Sequence, residues 1–206
     1  MYVPGHFLES RPDILHRFVE RHPLATLVTS GAQGLTADRL PMLWQHDAGV
    51  LQGHMAKANP LWRNIEQTRA VLVIFDGPEH YISPNWYPSK HDDGRVVPTW
   101  NYATVQMRGL VRIIEDPLWL RALVDRLTLT HERSQNTPWQ VTDAPADYFD
   151  RMLHAIVGVE VQVHQVEGKF KGSQNRSTAD RQSVAAHLRA GGLDDETLRE
   201  LIPGIL

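Results

Sequence analysis

The stretch from Asn101 to Glu115 sets the strongest limit on what this chain can fold into. Ala103, Val105, Met107, Val111 and Ile113 fall on one side of it; Tyr102, Thr104, Gln106 and Arg108 fall on the other. A period of two sustained over that length describes a long strand with one buried and one polar face, the pattern of an antiparallel sheet. Gly109 interrupts the apolar row, where it marks a bulge. Val157, Val159, Val161 and Val163 repeat the alternation against Gly158, Glu160, Gln162 and His164.

Other strands follow from shorter signals. Leu24 to Thr29 and Leu35 to Trp44 flank the turn Ser30-Gly31-Ala32-Gln33-Gly34 and read as a hairpin. Pro41 inside the second arm predicts an edge, a bulge or a strand end there. Gly49 to Met55 is a further strand, and the apolar run Ala70 to Phe75 is short enough to be a buried one. Gly77 to Pro98 reads as a long loop with a short strand near Tyr81, and loops of that length are frequently functional.

Helices are expected from a Ser10 cap, with Ile14, Leu15, Phe18 and Val19 on one face, and from Asp116-Pro117, with Leu120, Leu123, Val124 and Leu127 in register. Others are expected over Pro60 to Glu66, burying Leu61 and Ile65, over Asp143 to His154, after Ser177, and from Asp194 to Leu201. Strands and helices do not alternate regularly, so a doubly wound parallel sheet is disfavoured. A small antiparallel barrel with peripheral helices fits better.

Composition narrows the function classes. Apolar residues make up 42% and charged residues 22%, which is globular rather than disordered. The formal net charge of -3 argues against a generally basic nucleic-acid binder. No run is long enough to span a membrane as a helix, the N-terminus lacks signal-peptide character, and a cytoplasmic protein is expected. The chain has no cysteine, so disulfides and thiolate chemistry are excluded. Its eleven histidines include no His-x-x-x-His spacing, and no metal site is expected. Nucleophile-elbow, Walker and dinucleotide fingerprints are also missing, and no catalytic residue stands out.

Three segments hold residues suited to ligand chemistry. Gly53-His54-Met55-Ala56-Lys57-Ala58-Asn59-Pro60 joins a strand end, a cation and a capped helix start, where free amides attract anions. Its alternative reading is a plain cap beside a solvated lysine. Pro98-Thr99-Trp100-Asn101-Tyr102 places aromatic rings beside an amide, suited to a planar ligand or to packing at a sheet edge. Gly168 to Ser177 gathers three cations, two amides and two hydroxyls, suited to phosphate and ring-edge recognition or to a solvated loop.

In order along the chain these segments resemble the PaiB family of FMN-binding negative transcriptional regulators. Met1-Tyr2-Val3-Pro4-Gly5-His6-Phe7, Tyr81-Ile82-Ser83-Pro84-Asn85-Trp86-Tyr87 and Ala155-Ile156-Val157-Gly158 carry the resemblance with them. It implies an FMN-binding split barrel, an antiparallel six-stranded barrel like that of pyridoxamine-phosphate oxidases. The barrel domain is expected over 1–166, with a basic segment and C-terminal helices over 167–206 packing on it. The resemblance further implies a homodimer holding FMN.

Arg39 stands where the broader fold has a phosphate-binding arginine. Lys57 stands at the basic position after the third strand, and Gln106 resembles the glutamine that meets the flavin ring. Arg39, Lys57 and the Asn59 helix start are the candidates for the phosphate, His54 is a further cofactor-binding candidate, and those for the ring are Trp100, Asn101, Gln106, Lys171, Asn175 and Arg176. The implied activity is regulatory, with DNA bound directly or through a partner. The alternatives are a flavin-dependent oxidoreductase, or a haem-binding split barrel using His54, His80 or His164.

Overall fold

The computed structural model describes residues 1–31, 34–63 and 69–205. The described residues form seven strands: β1 (Leu8–Glu9), β2 (Leu24–Gly31), β3 (Gly34–Gln45), β4 (Val50–Ala56), β5 (Ala70–Ile82), β6 (Thr99–Ile114) and β7 (Ile156–Lys171). Helices α1 (Pro12–Arg21), α2 (Pro117–Glu132), α3 (Ala146–His154), α4 (Thr178–Ala190) and α5 (Asp195–Leu201) accompany them among the described residues. The strand order is β1-β7-β4-β3-β2-β5-β6, and a further pairing of β7 with β6 closes a ring of six strands. Closure leaves no free edge in that ring. This is the split-barrel fold.

The chain divides into two compact units. One comprises Met1–Phe18, Phe75–Gln106 and Glu167–Leu206; the other comprises Val19–Ile74 and Met107–Val166.

In the second unit, β2 and β3 form the expected hairpin, in register from Leu24↔Pro41 to Gly31↔Gly34. Pro41 lies where the β2 pairing ends, and the β4 pairing begins one residue later at Met42↔Gly53. A residue without an N–H is tolerated at that handover. Ala25, Leu27, Leu51, Met107, Val157, Val159 and Val161 are buried, as the alternation requires. Gly109 owes its place to close packing rather than to a bulge. A Cβ there would stand 2.4 Å from the Gln162 carbonyl oxygen and 2.5 Å from Val161. Gly158 similarly makes room for the Trp119 ring of α2.

Helix α2 starts as its sequence predicts: the Asp116 carboxylate accepts from the Leu118 N–H at 3.0 Å, and Leu120, Leu123 and Leu127 are buried. Of the helix expected over 60–66, Leu61–Arg63 is helical with Leu61 buried, while Ile65 and Glu66 lie outside the described residues.

The first unit differs more from expectation. Helix α1 begins at Pro12, and Leu15 and Phe18 are buried within the unit. β5 continues through Gly77 and Pro78 to Ile82 instead of giving way to loop. Gly77 has no room for a Cβ, which would stand 2.4 Å from the Phe18 ring. Two short 3-10 turns follow, at Pro84–Trp86 and Pro88–His91.

β7 likewise continues through Gly168 to Lys171 as strand, because β1 supplies hydrogen-bonding partners in the register Leu8↔Lys169. Helices α4 and α5 pack Val184, Leu188, Leu198 and Leu201 against Ile82 and Tyr87. Ser177 and Asp194 cap them, accepting from the Asp180 and Thr197 N–H groups.

Candidate cofactor-binding site

The first unit contains a cavity of about 220 Å³. Its apolar wall is Phe7, Tyr87, Val97 and Pro98; its polar wall is Thr99, Asn101, Lys171, Ser173, Asn175 and Arg176. The end of β7 and the turn after it thus meet the start of β6, with Tyr87 supplied by the segment between β5 and β6.

Asn101 organises this wall. Its side chain is 1% exposed, donates Nδ2–H to the Leu201 carbonyl at 3.2 Å, and accepts the Ser173 hydroxyl at 3.1 Å. Ser173 has φ +63°, the left-handed region that a β-carbon disfavours. Its hydrogen bond to Asn101 and the Arg176 N–H bond to its carbonyl hold it there. Gly172 permits the close passage of Leu201, whose carbonyl oxygen would stand 2.5 Å from a Cβ.

Lys171 donates to the Thr99 hydroxyl at 2.5 Å and to the Trp100 carbonyl. Burial, and secondarily the Lys169 charge, push its ammonium pKa below the ordinary lysine value. The Arg176 guanidinium lies 4.9 Å over the Tyr87 ring, in cation–π range. The Tyr87 hydroxyl is buried with no hydrogen-bond partner. Trp100 is 52% exposed and meets Tyr81 edge-on at 5.9 Å. Gln106 is half-buried on β6, and Asn175 is exposed.

In the second unit the expected phosphate-side residues lie on or beside β3 and β4, and most already have partners. Asn59 is a cap: its Oδ1 accepts from the Leu61 N–H at 2.9 Å, and its Nδ2 donates to Asp38 at 3.1 Å. Lys57 faces Glu115 at 3.8 Å. Arg39 is exposed and donates to the Leu24 carbonyl at 3.1 Å. Carboxylates beside Lys57 and Asn59 reduce the pull of this region on a phosphate.

His54 is half-buried on β4, and its Nδ1 is buried without a partner. Burial pushes its pKa below 6.5, so the folded protein resists protonating it. The unfolded chain then binds the proton more readily, and the stability curve should fall as pH drops from 6.5 through the folded-state pKa. Urea midpoints of the wild type and His54→Gln between pH 7.5 and 5 check this. The variant should lose part of the decline, and parallel curves would refute the assignment.

Of the histidines considered for haem, His80 turns Nδ1 to the Tyr81 carbonyl at 2.6 Å and His164 is exposed. Among the described residues no group of three or more His, Asp or Glu side chains is arranged to hold a metal ion. No helix of the described residues is long and apolar enough to cross a membrane.

A family model described as "Putative FMN-binding domain" matches residues 1–165. The chain is also 31% identical to the protease synthase and sporulation protein PAI 2 of Bacillus subtilis, over 92% of this chain and 89% of that one. This chain belongs to the PaiB family of FMN-binding proteins. An uncharacterized protein of Emericella nidulans is 32% identical over 94% of this chain and 92% of its own.

Two solved structures share the fold. The conserved hypothetical protein Rv2991 from Mycobacterium tuberculosis has a TM-score of 0.60 at 16% identity, over 86% of this chain and 94% of that one. The flavocytochrome Anf3 from Azotobacter vinelandii has a TM-score of 0.58 at 12% identity, over 84% of this chain and 73% of that one.

FMN is accordingly the cofactor of this PaiB-family chain. The cavity of the first unit has the chemistry for such a molecule: an apolar wall, several donors, and a buried tyrosine hydroxyl without a partner. Tyr87, Ser173 and Phe7 are lining residues that sequence reasoning did not single out, although all three lie inside segments that carried the family resemblance. Lys171, Asn175 and Arg176 lie beyond the residues matched by the family model.

Proposed function

We propose that this protein is a flavin-dependent regulator of the PaiB type, a homodimer that carries FMN and acts negatively on transcription. The observation that supports the regulatory reading is the similarity to PAI 2, which extends over about nine-tenths of both chains. In the first unit the proposed FMN-binding residues are Trp100, Asn101, Gln106, Lys171, Asn175 and Arg176. In the second unit Arg39, His54, Lys57 and Asn59 are proposed on the grounds of their position at strand ends. Bound FMN supplies one- or two-electron redox chemistry, and these residues bind and orient it. Exposed Val97 and Trp100 offer apolar surface that a second subunit would cover.

A second reading, an FMN-dependent oxidoreductase, draws on the cavity itself, whose apolar wall and few convergent polar groups suit a small molecule. Bleaching of the flavin band by NAD(P)H with turnover of an acceptor would favour it. Salt-sensitive binding to a promoter fragment, lost when Lys169 and Lys171 are neutralised, would favour direct regulation.

The residue assignment has its own check. Lys57→Ala should weaken FMN binding severalfold, read by quenching of flavin fluorescence. Lys90→Ala should leave it unchanged, since Lys90 donates to Asn85 on an exposed turn. Equal affinities would sink the role given to Lys57.

A further inference from the structure

We propose that the cavity of the first unit is an oxyanion site, taking a phosphate monoester or carboxylate group on Lys171, Arg176 and the Thr99 hydroxyl beside them. Two cations line this cavity and no aspartate or glutamate does. Among the described residues neither Lys171 nor Arg176 forms an ion pair; their partners are a hydroxyl, a carbonyl and the aromatic faces of Tyr102 and Tyr87. The other candidate anion seat, by contrast, has Glu115 facing Lys57 and Asp38 bonded to Asn59.

Holding an ammonium partly out of water beside a second lysine is unfavourable without a counter-charge, and an oxyanion is the group that offsets it. The depressed Lys171 pKa has that cause.

The neutral groups suit the same occupant. Thr99 presents a hydroxyl whose own proton is free and Asn175 an amide, and Tyr87, also in the wall, has a buried hydroxyl without a partner. Asn101 fixes Ser173 from behind, so the wall is organised before any ligand arrives. Arg176 offers a planar fork to two oxygens of one group.

The oxyanion could come from FMN itself, through its ribityl phosphate, or from a separate small acid. Only the first source rests on the FMN reading above. Two measurements on the full-length protein at constant ionic strength separate them: binding of inorganic phosphate by thermal shift, and the affinity ratio of FMN to riboflavin by fluorescence quenching. Both are made on the wild type, on Lys171→Gln/Arg176→Gln, and on Arg176→Gln alone in case the double variant does not fold.

The proposal expects phosphate to raise the wild-type melting temperature, and expects phosphate affinity to fall about tenfold or more in the variants. If FMN is the source, the wild type prefers FMN over riboflavin by about tenfold or more, and that preference collapses in the variants. If a separate acid is the source, phosphate binding is lost and the flavin ratio is unchanged. Phosphate binding and flavin ratio both unaltered by the substitutions would overturn the proposal, as would a wild type indifferent to phosphate and to the ribityl phosphate. A wild type that binds phosphate but no flavin would overturn the FMN reading and leave the oxyanion site standing.

Discussion

Gly109→Ala is expected to destabilise the protein by about 3 kcal/mol, seen as a large drop in the urea midpoint with little change in slope. The added methyl would stand 2.4 Å from the Gln162 carbonyl oxygen and 3.0 Å from its carbon. Those atoms are backbone of β7, so the clash is relieved only by moving a strand that is hydrogen-bonded to its neighbour. Gly5→Ala is the matched control, because a Cβ there meets nothing within 4 Å. Similar midpoints for the two variants would show that β6 and β7 are not packed this closely.

Glu160→Ala should have the second large effect, about 3 kcal/mol by the same measurement. Glu160 is 7% exposed on β7 and accepts from Gln52 at 2.6 Å and from Arg112 at 2.5 and 2.7 Å. Gln52 in turn accepts from Arg126 at 2.6 Å, so β4, β6, β7 and α2 share one network. Truncating the carboxylate strands the Gln52 amide and takes from Arg112 its ion-pair partner. Glu160→Gln keeps an acceptor in place and should lose less than half as much. Equal losses would mean that packing, not hydrogen bonding, sets the cost.

Much of the barrel was legible from period alone. The alternation along β6 and β7 named the buried valines, and the glycines flanking residues 32–33 announced the pairing of β2 with β3. Caps at Asp116, Ser177 and Asp194 behaved locally, which is why they could be read locally. The failures share a cause: partners distant in sequence. Nothing in Leu8–Glu9 announces a strand, because that strand exists only through its pairing with Gly168 and Lys169. The same pairing converts the supposed loop at 168–171 into strand, and a ring of Phe18 explains Gly77 where the sequence offered only a breaker.

The candidate site shows a similar split. Sequence composition marked the segment after β7 as suited to phosphate, and the cavity contains that segment. It also marked Lys57 and Asn59, but the acids that face them come from elsewhere in the chain. Asp38 and Glu115 are ordinary charged residues until the fold brings them beside the amide and the lysine. Ser173 is the harder case. Its left-handed backbone and its bond to Asn101 leave no trace in a serine codon.

The short pairing of β1 with the end of β7 has a consequence for the order in which the chain can mature. A polypeptide leaves the ribosome N-terminus first, so Leu8 and Glu9 are made long before Gly168 and Lys169 exist to receive them. Until then β1 has no strand to pair with. β1 is therefore secured only once β7 has been made, and a pause in translation after β6 would leave it open to chaperones and proteases.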